Sequence, residues 1–240
     1  MFRWFRRAGA APTEEQLLLS QALIGYPQYA PPDWDMVPSD DDEGRKRWAE
    51  SSKKYAQFFH DSRAARLDAL RGFLARFEIV AGLDDAGVMA VSSWLPRYAD
   101  LLVGGFDQNV VDAYKGLKVP WAGPLNGLNP IFDLGVYYAE CLWCRRTKLK
   151  WIVLRAPGSG VASHLISGLP GGKLFDPISW MRVHCSNVRA SKNSVNKMNS
   201  IEPWELRAES FYRKVLSDAP PGRRSRTAHA DPRQLRSGDE

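Results

Sequence analysis

Cys141 and Cys144, three apart in the run CLWC, are the residues of this chain whose types and spacing first suggest chemistry. A redox dithiol needs its first thiol at a helix N-terminus, where the dipole favours the thiolate. Asp133 is placed to cap that helix, which sets both cysteines two or more turns inside it. Arg145, Arg146 and Lys148 restore only part of the thiolate character. Zinc suits these residue types better, since Cys and His are its usual tetrahedral ligands. The candidate set is Cys141, Cys144 and Cys185 with His164. His184 is an alternative to Cys185, because neighbours on a strand point to opposite faces. The structural reading competes with this and outweighs it. Leu134, Tyr137, Tyr138, Cys141 and Cys144 form one apolar stripe, and free cysteine is among the most buried residue types. No cofactor is therefore expected, and zinc is the one worth seeking.

Glu140 is the best candidate for a catalytic group, with apolar neighbours Val136 and Trp143 on the same helix. A carboxylate in such company is either paired with Arg or Lys from another element or opens on a cleft. Acid–base work asks for a second carboxylate, and Asp133 or Asp176 would have to meet it in three dimensions. This reading requires a concave pocket and a raised pKa at Glu140; an ion pair removes its basis. The run Asp40 to Glu43 lacks the alternating ligands and central Gly of a calcium loop and reads as helix capping. There is no G-x-S-x-G elbow, no H-E-x-x-H, no Walker A and no dinucleotide fingerprint.

The elements that must position these residues follow from the pattern. Pro12 to Ile24 reads as a helix with a Thr13–Gln16 capping box. A Pro-rich loop follows, then a helical stretch from Gly44 to Phe77, either two helices or one with a break near His60 to Ser62. Asp84 or Asp85 caps a helix that carries Pro96 inside it. Phe106 to Tyr114 suggests a short helix and Lys115 to Pro130 a long loop. After the Asp133 helix, the spacing predicts a strand from Leu149 to Arg155, an ambiguous segment over 165–169, and short strands at Lys173 to Asp176 and Trp180 to Asn187. A helix from about Ser200 to Leu216 closes the domain. Helices first and strands later favour α+β: a helix-rich N-terminal half packed on a small antiparallel sheet.

In a chain of 240 residues that is 44% hydrophobic, one domain over residues 12–217 has ample core. Residues 1–11 read as a basic extension and 218–240 as a disordered basic tail. Arg223, Arg224 and Arg226 in that tail are a possible anion contact for nucleic acid. Phe2, Trp4 and Phe5 lie among arginines, but residues 2–7 are too few for a convincing membrane-surface helix. Three cysteines cannot all pair within the chain, which argues for a reducing compartment. No apolar run is long enough to span a bilayer, and MFRWFRRAGA lacks the apolar core of a signal peptide. A cytoplasmic protein is expected.

The run DLGVYYAE at 133–140, with KWIV at 150–153, resembles a helix-then-strand pattern of several small uncharacterised bacterial families. In that pattern a Leu-Gly-x-Tyr-x-Gly-Glu helix precedes a Trp-bearing strand, and a Leu-Asp pair, here Leu67-Asp68, comes earlier. Ala139 stands where the pattern has Gly. The likeness covers about a third of the chain. It implies a compact mixed domain in which Asp133, Gly135, Tyr137, Glu140 and Trp151 define the fold. Some of these families look like toxin-neutralising or other binding proteins. The resulting expectation is a non-enzymatic, protein-binding domain of the inhibitor or immunity type; the alternatives are an enzyme built on Glu140 and a nucleic-acid binder using its tail. Trp34, Trp48, Trp121 and Trp180 are the aromatics available to an interface.

Overall fold

The computed structural model describes residues 11–31, 41–103, 121–146, 148–155, 162–193 and Arg213. It is an α+β fold with one two-stranded antiparallel sheet among the described residues. Helix α1 (Glu14–Ala22) starts at Thr13, whose hydroxyl accepts from the Gln16 N–H while the Gln16 side chain accepts from the Thr13 N–H. Helix α2 (Asp42–Ala75) is capped by Asp41 and runs unbroken for 34 residues. The break near His60 to Ser62 does not occur. Residues 45–71 contain neither Gly nor Pro, and one stripe of Ser51, Tyr55, Phe59, Arg63, Arg66, Leu70 and Phe73 stays buried throughout. Helix α3 (Asp85–Val103) begins where the Asp84 carboxylate accepts from the Gly87 N–H at 2.8 Å, and it carries Pro96 inside.

Helix α4 (Leu128–Arg145) is the centre of the molecule: every residue from Leu128 to Leu142 is buried. A helix buried all round must be covered on several sides, and α2, α3 and the helix after the sheet supply that cover. It begins five residues before Asp133. Gly127 takes the N-cap position, and Pro130 sits in the first turn, where its missing N–H costs nothing. Asp133 is therefore interior to the helix and not its cap. The loop expected to reach Pro130 ends before Leu128.

Strand β1 (Lys150–Arg155) pairs antiparallel with β2 (Ala162–Ser167), running from Lys150 opposite Ser167 to Arg155 opposite Ala162. Phe175 adds a single bridge to Ile166 on the far side of β2. Helix α5 (Pro177–Asn193) then replaces the strand expected at Trp180 to Asn187. Asp176 caps it by accepting from the backbone of Ile178 at 3.1 Å and Ser179 at 2.8 Å, and Pro177 takes the first position. Ile178, Met181, Cys185 and Val188 are buried at helical spacing. A start signal of this kind outranks the short apolar alternation that resembled a strand. Among the described residues no helix is long and apolar enough to cross a membrane.

Gly135 fixes how closely α4 and α5 approach. A Cβ built there would lie 2.7 Å from the Ile178 Cα and 3.0 Å from its nitrogen. Backbone cannot yield as a side-chain end can, so the two helices would have to separate. Gly135→Ala is expected to destabilise the fold by ~1–3 kcal/mol, the range for overpacking. Urea unfolding checks it: the midpoint should fall with little change in slope.

Candidate functional site

Two ion pairs lie side by side between α2 and α4. Asp133 and Glu140, seven apart, share one face of α4; Arg63 and Arg66, three apart, share one face of α2. Arg66 grips Asp133 in bidentate fashion, Nε to Oδ1 at 2.5 Å and Nη2 to Oδ2 at 2.9 Å. The Tyr26 hydroxyl donates to the same Oδ2 at 2.7 Å. At the other pair, Arg63 Nη1 donates to Glu140 Oε1 at 2.9 Å, and Trp151 Nε1 donates to that oxygen at 2.9 Å. Both guanidinium groups are sandwiched by rings: Arg66 over Tyr29 and Phe132, Arg63 over Trp143, Trp151 and Phe59. Arginine suits this position, since its weakly hydrated plane stacks and its fork matches a carboxylate.

A neutral chain of hydrogen bonds adjoins the Arg66 pair. The Tyr29 N–H donates to Asn129 Oδ1 at 2.7 Å, and Asn129 donates onward to the Trp121 carbonyl at 2.9 Å. The Tyr29 and Tyr55 hydroxyls are 2.5 Å apart, and Tyr55 lies 2.6 Å from His164 Nε2. A neutral imidazole with its proton on Nδ1 accepts from Tyr55, which then accepts from Tyr29. Burial, and secondarily the charge of His60, pushes His164 down to about 3, so the neutral form is the one held.

Burial raises the carboxyls of this interior against the pull of their partners. Asp133 is pushed up to about 6, with Arg66 and Tyr26 opposing. Glu140 is raised by burial, with Arg63 and Trp151 opposing. Arg63 is lowered by the same burial, although Glu140 holds its proton. Desolvation also lifts the Tyr26 and Tyr29 phenols above the ordinary range.

The residues that pattern singled out now have definite places. The Glu140 carboxyl is raised, as a general acid requires, but it is ion-paired with Arg63 within the core, the arrangement that removes the basis for that role. Asp176 is spent as the cap of α5, away from that pair. Trp151 meets Glu140 directly, Gly135 faces Ile178, and the Tyr137 hydroxyl donates to the Gly82 carbonyl at 2.7 Å. Cys141 and Cys185 are buried thiols pushed up by desolvation, while Cys144 is exposed. His164 has its Nε2 in the tyrosine chain. Among the described residues no three His, Cys, Asp or Glu side chains come together to hold a metal ion, so the four candidate zinc ligands do not converge. Trp121 is fully buried, its ring stacked on Tyr29, and belongs to the core and not to an interface. Residues 2–7, Trp34, the 106–114 segment and the Arg223, Arg224 and Arg226 cluster lie outside the described residues, as does most of the 200–216 segment.

Arg63, Arg66, Tyr26, Tyr29 and Asn129 belong to no motif in the sequence. The signal was present for the arginines: they fall on the same stripe as Tyr55, Phe59 and Leu70. A charge on an apolar stripe asks for a buried partner. No family model matches the chain, and no curated protein or solved structure matches it.

Proposed function

We propose that this chain is a bacterial, cytoplasmic protein-binding domain of the inhibitor or immunity type and not an enzyme. The observation that carries this reading is the fate of Glu140: its Oε1 is shared between Arg63 and Trp151 inside the core. A carboxylate so held has a positioning task between helices and is poorly placed to exchange protons with a substrate. Asp133 is spent the same way, which leaves the polar interior as architecture. The surface offers contact material instead, with Leu154 of β1, Leu174 and Val183 of α5 among the exposed apolar side chains. The free thiols fit a reducing compartment.

The test is affinity capture of the tagged full chain from its native host, with mass spectrometry of what co-purifies. The reading expects one protein that re-forms a stoichiometric complex when both components are purified. If no recovered protein does so, the reading falls.

A further inference from the structure

The two edges of the small sheet are not alike. Ile166 donates to the Phe175 carbonyl at 2.7 Å and accepts from the Phe175 N–H at 3.2 Å. Both backbone groups of Ile166 therefore face away from β1. In an antiparallel ladder, hydrogen-bonded and non-hydrogen-bonded pairs alternate. Trp151–Ile166, Val153–His164 and Arg155–Ala162 are thus the non-bonded pairs of the register, and their backbone groups point outward. On the β2 side, Phe175 bonds both groups of Ile166, and the Asp176 carboxylate accepts from the His164 N–H. On the β1 side, nothing among the described residues pairs with the backbone of Trp151 or Val153.

Charge says what suits that edge. The sheet carries Lys150 and Arg155 at the two ends of β1 and no acidic residue on either strand, and exposed Lys148 lies just before it. A second copy pairing antiparallel across this edge would bring further cations and no acid to it, since the run from Arg145 to Arg155 contains none. A strand with acids five residues apart sets one opposite each of these two cationic positions. Between them Ile152 and the half-exposed Leu154 present an apolar outer face. Resting on the protein-binding reading, we infer that the edge of β1 away from β2 takes an extended acidic segment of the partner as a third strand, with the pattern acid, apolar, any, apolar, any, acid. Main-chain bonds supply affinity in such strand addition, and the alternating side chains supply the choice of partner.

The probe is the capped peptide Thr-Glu-Val-Thr-Val-Thr-Glu-Thr, added to the full chain and followed by amide hydrogen exchange. The peptide should slow exchange at Trp151 and Val153 at least tenfold. Val153→Pro removes one outward N–H at an edge position, where proline is tolerated, and should abolish that protection at the Trp151 amide. The double variant Lys150→Glu and Arg155→Glu should lose the peptide and gain its counterpart with Lys in place of both Glu. Three results overturn the proposal: no protection at millimolar peptide, equal binding by the parent and both variants, or protection that tracks a concentration-dependent dimer of the chain alone. With a captured partner in hand, affinity should fall at least tenfold in both variants. An unchanged affinity overturns the edge assignment and leaves the protein-binding reading standing. Failure to find a partner overturns that reading, while the peptide still reports on the edge.

Discussion

Asp133→Ala is expected to cost about 3–5 kcal/mol, the range for removing one partner of a buried ion pair. The reason is what it leaves behind. Arg66 would stay inside the core, flanked by Tyr29 and Phe132, with no carboxylate to balance it. The Tyr26 hydroxyl would lose its acceptor as well. The informative comparison is the double variant Asp133→Leu with Arg66→Met, which removes both charges and keeps most of the volume. Buried pairs replaced by apolar residues are often neutral or stabilising, so this variant should recover most of the loss. A double-mutant cycle from urea unfolding reads the coupling. If the double variant is as unstable as the sum of its two singles, the pair does not act as a unit.

The second large effect is on the acid side. His164 is neutral in the folded protein down to about pH 3, whereas a free histidine takes up a proton near 6.5. Between those values the unfolded chain binds more protons, so the contribution of this residue to stability rises with pH through the window. Taken alone the shift corresponds to about 5 kcal/mol at most. Asp133 works with the opposite sign. Its folded value of about 6 exceeds the ordinary carboxyl range, so the folded state holds the proton more tightly and stability falls as pH rises from about 4 to 6. The two slopes partly cancel in the parent protein. Comparing it with His164→Gln, which keeps an amide oxygen to accept from Tyr55, isolates the histidine. The stability difference, parent minus variant, should grow from pH 3 to 6.5. Parallel curves would sink the assignment.

Much of the scaffold was legible because it rests on local signals. Thr13 with Gln16, Asp41 before α2, Asp84 before α3 and the Lys150 to Arg155 run each announce an element within a few residues. Asp176 with Pro177 does the same for α5, but the short apolar alternation over Trp180 to Asn187 imitates a strand. Asp133 misled for a physical reason: an acid near the start of an apolar helix looks like a cap, and only the partner 67 residues earlier shows otherwise. The ion pairs depend on two helices meeting in one register, which no local window contains. The tyrosine–histidine chain is less legible still, since it joins α2 to the residues before it and to β2.

The opposed order of the two ion pairs bears on how the chain finds its native state. Arg63 meets the later residue Glu140 and Arg66 the earlier residue Asp133, so the pairs admit only antiparallel docking of α2 and α4. Sliding one helix by a turn, or reversing it, would strand a cation and an anion apart in apolar surroundings, at several kcal/mol for each. Collapsed states with the right apolar faces together but the wrong offset would therefore be short-lived. Greasy stripes alone tolerate such offsets; four charges in this arrangement do not.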